Sequence, residues 1–173
     1  METITYGKIS DNNFSLTSLD RFDCRQEVRE CWRRVDGRWK LLPIAYTDDS
    51  GPDARTMLDA LRAGNPAFGA WAGDELVGLA LLAKERFGSM GEYIDLAEFY
   101  VSLPYRRRGI GKQLFELACQ GARELGASKL YISAHSAKES IAAYRKYGCV
   151  EAEEINQILA EKEPCDIQME FRL

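Results

Sequence analysis

The 173-residue chain has room for one compact domain with a real hydrophobic core and too little for two large ones, so residues 1–173 are read as a single domain. A composition of 46% apolar and 29% charged residues is ordinary for a globular protein, and no apolar run approaches the ~18 residues of a membrane-spanning helix. A net charge of −4 argues against nucleic acid as a partner, and five cysteines without a C-x-x-C pair, beside one histidine, cannot complete a Cys/His zinc site, so no metal is expected.

The opening METITYGKISDNN lacks the basic start and apolar centre of a secretory signal, which makes the cytoplasm the expected compartment and no membrane the expected partner. Ile4 to Ser10 reads as a first strand. Ser18 to Cys31 reads as a helix capped by Ser18 or Asp20. Asp36-Gly37, between runs holding Trp32, Val35, Trp39, Leu41 and Leu42, fits either a two-residue hairpin or a helix end with a turn. Met57, Leu58 and Leu61 repeat at helical spacing until Gly64 and Pro66 stop them. AFGAWAG and ELVGLALLAKE suit adjacent antiparallel strands around Asp74-Glu75, and EYIDLAEFYVS is a further strand. Ile110, Leu114, Leu117, Ala118, Ala122 and Leu125 mark a helix ended by Gly126. KLYISAH is then a strand, SAKESIAAYRKYG a helix, and VEAEEI and CDIQMEFRL closing strands, so the fold class is mixed α/β.

Between the EYIDLAEFYVS strand and its following helix stands YRRRGIGKQLF, Tyr105 to Phe115. A basic, glycine-bearing loop at a helix N-terminus offers unpaired backbone N–H groups and a favourable dipole to an anion, phosphate above all. A P-loop would need glycine where Arg106 stands and Ser or Thr where Gln113 stands; a dinucleotide fingerprint would need a third glycine where Leu114 stands.

Arg106-x-x-Gly109-x-Gly111 after a strand and before an amphipathic helix resembles the acyl-CoA-binding signature of the GNAT acetyltransferase superfamily. The resemblance runs over roughly Phe68 to Cys149. It implies a single-domain fold with a central mixed, mostly antiparallel sheet, flanked by helices and splayed near the motif strand. It also implies acetyl-CoA as cosubstrate, with Arg106, Arg107, Arg108, Gly109, Ile110, Gly111 and Lys112 around its phosphates. Phe99, Tyr100 and Val101 would run alongside the pantetheine arm. Arg107 departs from the glycine the family often has there, and Pro104 stands one place later than its usual proline.

Acetyl transfer from a thioester to a primary amine, whose pKa is near ~10.4, needs a base for the ammonium, a stabilised oxyanion and a proton for the departing thiolate. Glu98 is the first candidate base, ahead of His135, Asp95 and Glu92, and a backbone N–H near Phe99 or Tyr100 is the expected oxyanion donor. Tyr144, in AAYRKYGC, resembles the family's acid, with Tyr147 as the substitute. Ala137 stands where the family often has asparagine, so Ser136 or Ser140 takes over contact with the arm; Cys149 is read as packing.

Acceptor recognition is expected from Gln26 to Tyr46 and from the carboxylates Glu151 to Glu154, Glu161, Glu163 and Asp166, which would suit a cation. A small amine, an antibiotic-like amine and a protein or peptide amine all remain open. Two rival readings are a noncatalytic acyl-CoA-binding module and a nucleic-acid binder using the arginine run, the latter opposed by the acidic balance. Relatives of this fold often pair as homodimers, and no stretch of the sequence marks such an interface.

Overall fold

The computed structural model describes residues 2–173. It opens with strands β1 (Ile4–Ile9), β2 (Gln26–Val28), β3 (Cys31–Val35), β4 (Arg38–Leu42) and β5 (Tyr46–Asp48), followed by helix α1 (Ala54–Arg62). Strands β6 (Ala67–Ala72), β7 (Glu75–Leu82) and β8 (Tyr93–Val101) lead into helix α2 (Ile110–Glu124). Strand β9 (Lys129–Ala134), helix α3 (Lys138–Tyr147), strand β10 (Val150–Glu151), helix α4 (Gln157–Lys162) and strand β11 (Ile167–Arg172) complete the chain.

Seven strands form one sheet in the order β1-β6-β7-β8-β9-β11-β10, with β8–β9 its only parallel pairing among the described residues. This is the mixed, mostly antiparallel sheet with flanking helices that the sequence implies.

The alternation of apolar side chains along the strands loads both faces of the sheet. One face packs against α2 and α3 through Val77, Ala80, Leu82, Ile94, Leu96, Ile110, Leu114, Phe115 and Ile141. The other carries Leu76, Leu79 and Leu81 against Met57 and Leu58 of α1 and against Phe14 of the N-terminal segment. α2 holds because Ile110, Leu114, Ala118 and Ala122 recur at helical intervals and are all but fully buried. Each large one stabilises by about 1.5–3 kcal/mol relative to exposure. Asp53 caps α1 by accepting from Thr56 N–H at 2.8 Å.

Two expectations change and one open alternative is settled. Ser18 to Cys31 is not a helix: the segment makes a run of turns and then β2. Ser18 Oγ accepts from Ser15 N–H at 2.9 Å, upstream of it, rather than capping a helix, and the bonds Asp20 N–H to Thr17 O (3.1 Å) and Phe22 N–H to Leu19 O (3.0 Å) close successive turns. Asp36 and Gly37, at φ 51° and 74°, form a two-residue hairpin turn joining β3 to β4, which settles the alternative left open there. VEAEEI pairs only over Val150–Glu151, and Asn156 then caps α4 by accepting from Leu159 N–H at 3.2 Å.

Candidate active site

β8 and β9 pair only over Tyr93–Asp95 with Lys129–Tyr131, so from Leu96 onward β8 runs beside a gap rather than beside a strand. A bulge marks the departure. Leu82 pairs with Leu96 and Leu81 with Glu98, which leaves Ala97 as the extra residue. Its effect is to reset the alternation. Leu96, Phe99 and Val101 face α2, whereas Glu98 and Tyr100 share the opposite face with Asp95.

At the end of this strand the chain turns through a short 3-10 segment, Leu103–Tyr105, into the arginines and the head of α2. The backbone N–H groups from Arg107 to Lys112 donate to nothing among the described residues; the first bonded one is Gln113, to Gly109 O at 3.2 Å. Arg107 (φ 63°) and Gly109 (φ 81°) both take the left-handed conformation, which folds successive N–H groups into an anion-sized concavity. For Arg107 this costs roughly 1–2 kcal/mol, the physical basis for glycine at such a place. A side chain at Gly111 would meet Tyr147 Oη at 2.8 Å. These residues fit a pyrophosphate: donors, concavity and dipole coincide with the charges of Arg107, Arg108 and Lys112.

Arg106 is used differently from its neighbours. Its guanidinium donates to Val101 O (2.8 Å), Arg25 O (2.7 Å) and Cys24 O (3.1 Å), so it ties the Asp23–Arg25 segment to the end of β8. Arg108 lies over the Tyr105 ring at 5.1 Å, and Ile110 is buried under α2.

Tyr144 and Tyr147 project from α3 toward β8. Tyr147 stacks on Phe115 with centroids 4.8 Å apart and stands over Gly111, a packing role. Tyr144 lies 6.0 Å from Phe99 at the mouth of the gap. Burial raises its pKa far above the usual phenol value, and nearby Cys149, Tyr100, Tyr147 and Asp166 add to the rise. A phenol so held keeps its proton, as a general acid must. Ser136, buried, accepts from Arg33 at 2.6 Å, and Ser140 accepts from Gln26 at 3.2 Å, so both hydroxyls anchor the β2–β4 region against α3. Trp32 also packs there, 5.1 Å beneath Arg145. Cys149 is 3% exposed, its pKa pushed up to about 12 by burial, and it packs in the core.

The face of β8 away from α2 gathers carboxylates. Glu98 is largely buried, and burial raises its pKa despite nearby Lys162. Asp95, 9% exposed, is pushed up to about 7 by burial, with Glu98 adding and Lys162 opposing. Asp166 rises to about 6 through burial, although it accepts from Ser133 Oγ at 3.0 Å. Neither Glu98 nor Asp95 has a side-chain hydrogen bond or ion pair among the described residues. His135 accepts from Ala137 N–H through Nδ1 (3.2 Å), which places its own proton on Nε2 toward Asp48 (3.2 Å) and Tyr46 (2.8 Å). It thus joins β5 to the end of β9. Glu92 is spent on its own loop, accepting from Met90 N–H at 2.8 Å.

Sequence reasoning left out Asp48 and Lys162. Lys162 carries a signal in hindsight, the Asn156 cap that starts its helix; Asp48 carries none, since its partner lies on a distant strand.

The sequence matches the acetyltransferase (GNAT) family over residues 23–149. It is 29% identical over 96 residues to an uncharacterized N-acetyltransferase, YvbK, of Bacillus subtilis (strain 168), and the matched stretch spans 55% of this chain and 59% of that relative. Among solved structures, nourseothricin acetyltransferase superposes with a TM-score of 0.74 at 18% identity, covering 98% of each chain. A Bacillus anthracis str. Ames protein, provisionally termed a streptothricin acetyltransferase and solved with acetyl coenzyme A, gives 0.72 at 14% identity over 99% of each. A GNAT family acetyltransferase from Elizabethkingia anophelis with acetyl-CoA bound gives 0.60 at 16% over the whole of both chains.

Proposed function

The chain belongs to the GNAT acetyltransferase family, and on that premise we propose that residues 1–173 act as one domain that moves an acetyl group from acetyl-CoA to a primary amine by direct attack. The observation that carries this reading is the run of unbonded N–H groups from Arg107 to Lys112, which opens onto the unpaired edge of β8 opposite Tyr144. Gly109 and Gly111 give the phosphates access to the backbone, while Arg107, Arg108 and Lys112 supply charge; Arg106 holds the loop that shapes the entrance.

Bound acetyl-CoA supplies the thioester acyl donor. Phe99 and Val101 wall the gap on the α2 side, and the free edge of β8 near Phe99 and Tyr100 presents its N–H groups to the developing oxyanion. Glu98, with its raised pKa, takes the proton of the incoming amine as the C–N bond forms. Tyr144 gives its proton to sulfur as the C–S bond breaks. This reading keeps attack direct: Cys149, the thiol beside Tyr144, is 3% exposed and packs in the core.

The test is acetyl-CoA-dependent thiol release across polyamines, amino acids, aminoglycosides and lysine or N-terminal peptides, repeated with Tyr144→Phe. Turnover should fall about 100-fold or more in that variant with acetyl-CoA affinity kept, the scale of general-acid catalysis. An unchanged rate removes Tyr144 from the mechanism; cofactor binding without turnover on any amine favours an acyl-CoA-binding module.

A further inference from the structure

We propose that the acceptor is a diamine or polyamine, and that Asp95 binds the ammonium group that does not react. The inference rests on the transferase reading above and deepens it. Three observations carry it.

First, Asp95 is nine-tenths buried and has no hydrogen-bond or ion-pair partner among the described residues, although buried carboxylates are ordinarily paired. Every other buried polar side chain on this side of the sheet is satisfied: Gln168 bonds Tyr131 and Ser133, at 2.6 and 3.0 Å, and Glu170 is held by Tyr93 and Lys129. Its oxygens are nonetheless not sealed off, because no buried side-chain polar atom is left orphaned among the described residues. The carboxylate therefore keeps a small exposed edge that a ligand can reach.

Second, the Ala97 bulge places Asp95 and Glu98 on one face, separated along the strand by about two residue rises, roughly 7 Å. That spacing suits two amino groups joined by a short alkyl chain, one beside the base and the other against Asp95.

Third, the surrounding field favours cations. Asp48, Asp166 and Glu98 all lie near Tyr100, and Lys162, close to Asp95 and Glu98, forms no ion pair with either among the described residues. A monoamine would neutralise one carboxylate and leave the other buried and bare, whereas a diamine satisfies both.

The experiment compares putrescine, cadaverine and spermidine with butylamine and pentylamine as acceptors for the wild type and for Asp95→Asn. It measures kcat/KM by thiol release and binding of the same amines by calorimetry. The wild type should favour diamines over chain-matched monoamines by about 30-fold or more, the lower end of what one desolvated charge pair contributes, and Asp95→Asn should collapse that ratio toward one. Wild-type turnover of monoamines as readily as diamines overturns the proposal and leaves the transferase reading standing. Silence with every amine, while calorimetry shows diamine binding that Asp95→Asn abolishes, supports the subsite and removes the transferase reading instead. Absence of diamine binding by calorimetry overturns the subsite. The wild-type ratio decides the matter even if the variant folds poorly.

Discussion

Replacing Asp95 by asparagine should make the protein more stable at alkaline pH than at acidic pH relative to wild type. Burial lifts the carboxyl from its ordinary 3.8 to about 7, so the native state holds a proton that the unfolded state has already released. By linkage, stability is undiminished below the unfolded value and falls as pH rises through the window between the two values. It then stays low above the native one. The whole window is worth about 4 kcal/mol at ~1.4 kcal/mol per pH unit, of which about 3 is lost between pH ~5 and ~8. The groups facing Asp95 are Glu98 on its own strand, Lys162 on α4 and Tyr131 on β9; Glu98 adds to the rise and Lys162 moderates it. Asparagine resembles the protonated acid, so the variant escapes this loss while keeping that of Asp166. Melting curves at pH ~5 and ~8 should show the variant gaining about 6–12 °C on wild type between the two conditions, at ~2–4 °C per kcal/mol for a chain of this size. Parallel curves, with a constant gap at both pH values, would mean that Asp95 ionises normally and is in contact with water.

Arg106→Met should cost about 3 kcal/mol, because three carbonyls lose a charged donor, and should speed amide exchange in Asp23–Arg25; a cost below about 1 kcal/mol would refute the strut role. Arg107→Gly trades left-handed strain for chain entropy and should melt near the wild-type temperature. Its KM for acetyl-CoA should rise about fivefold at low salt, the worth of ~1 kcal/mol of charge contact, and an unchanged KM would show that this arginine faces away from the ligand. Deleting Ala97 brings Leu96 and Glu98 into continuous register with β7, so the sheet should still fold cooperatively. With β8 straightened toward β9, acetyl-CoA affinity measured by calorimetry should fall at least about tenfold; retained affinity would show that the bulge does not hold the gap open.

The parts of this molecule legible in the sequence are those decided locally. The helix from Ile110 follows from its apolar period, and the donor-rich head of that helix from two glycines and a basic run, all within a few residues of one another. Asp36-Gly37 marked a turn for the same reason, but left hairpin and helix end open until the β3–β4 pairing decided it. Ser18 to Cys31 misled because helix periodicity and local turns compete, and only the backbone conformation shows which prevailed. Arg106 was read as a phosphate ligand with its neighbours, yet its partners are carbonyls of Cys24 and Arg25, brought beside it by tertiary folding. Ser136 and Ser140 have likewise been engaged by Arg33 and Gln26, residues distant in sequence.

The pairing of Asp95 with Glu98 shows most plainly where a one-dimensional reading stops. Strict alternation along Tyr93–Val101 puts Asp95 on one face with Phe99, and Glu98 on the other with Leu96. A single extra residue, Ala97, exchanges the faces of everything after it. The same bulge thereby turns Phe99 and Val101 to the α2 side, beside the arginine-glycine loop, and turns Glu98 and Tyr100 to the carboxylate-rich side. On the proposed reading, one strand then serves two substrates from opposite faces, with its unpaired edge between them and Tyr144 beside Phe99. A flat strand with the same composition would mix apolar and acidic groups on both faces. The charge needed for a cationic acceptor would then be divided between the two sides, and a carboxylate would stand in the path of an already anionic cofactor.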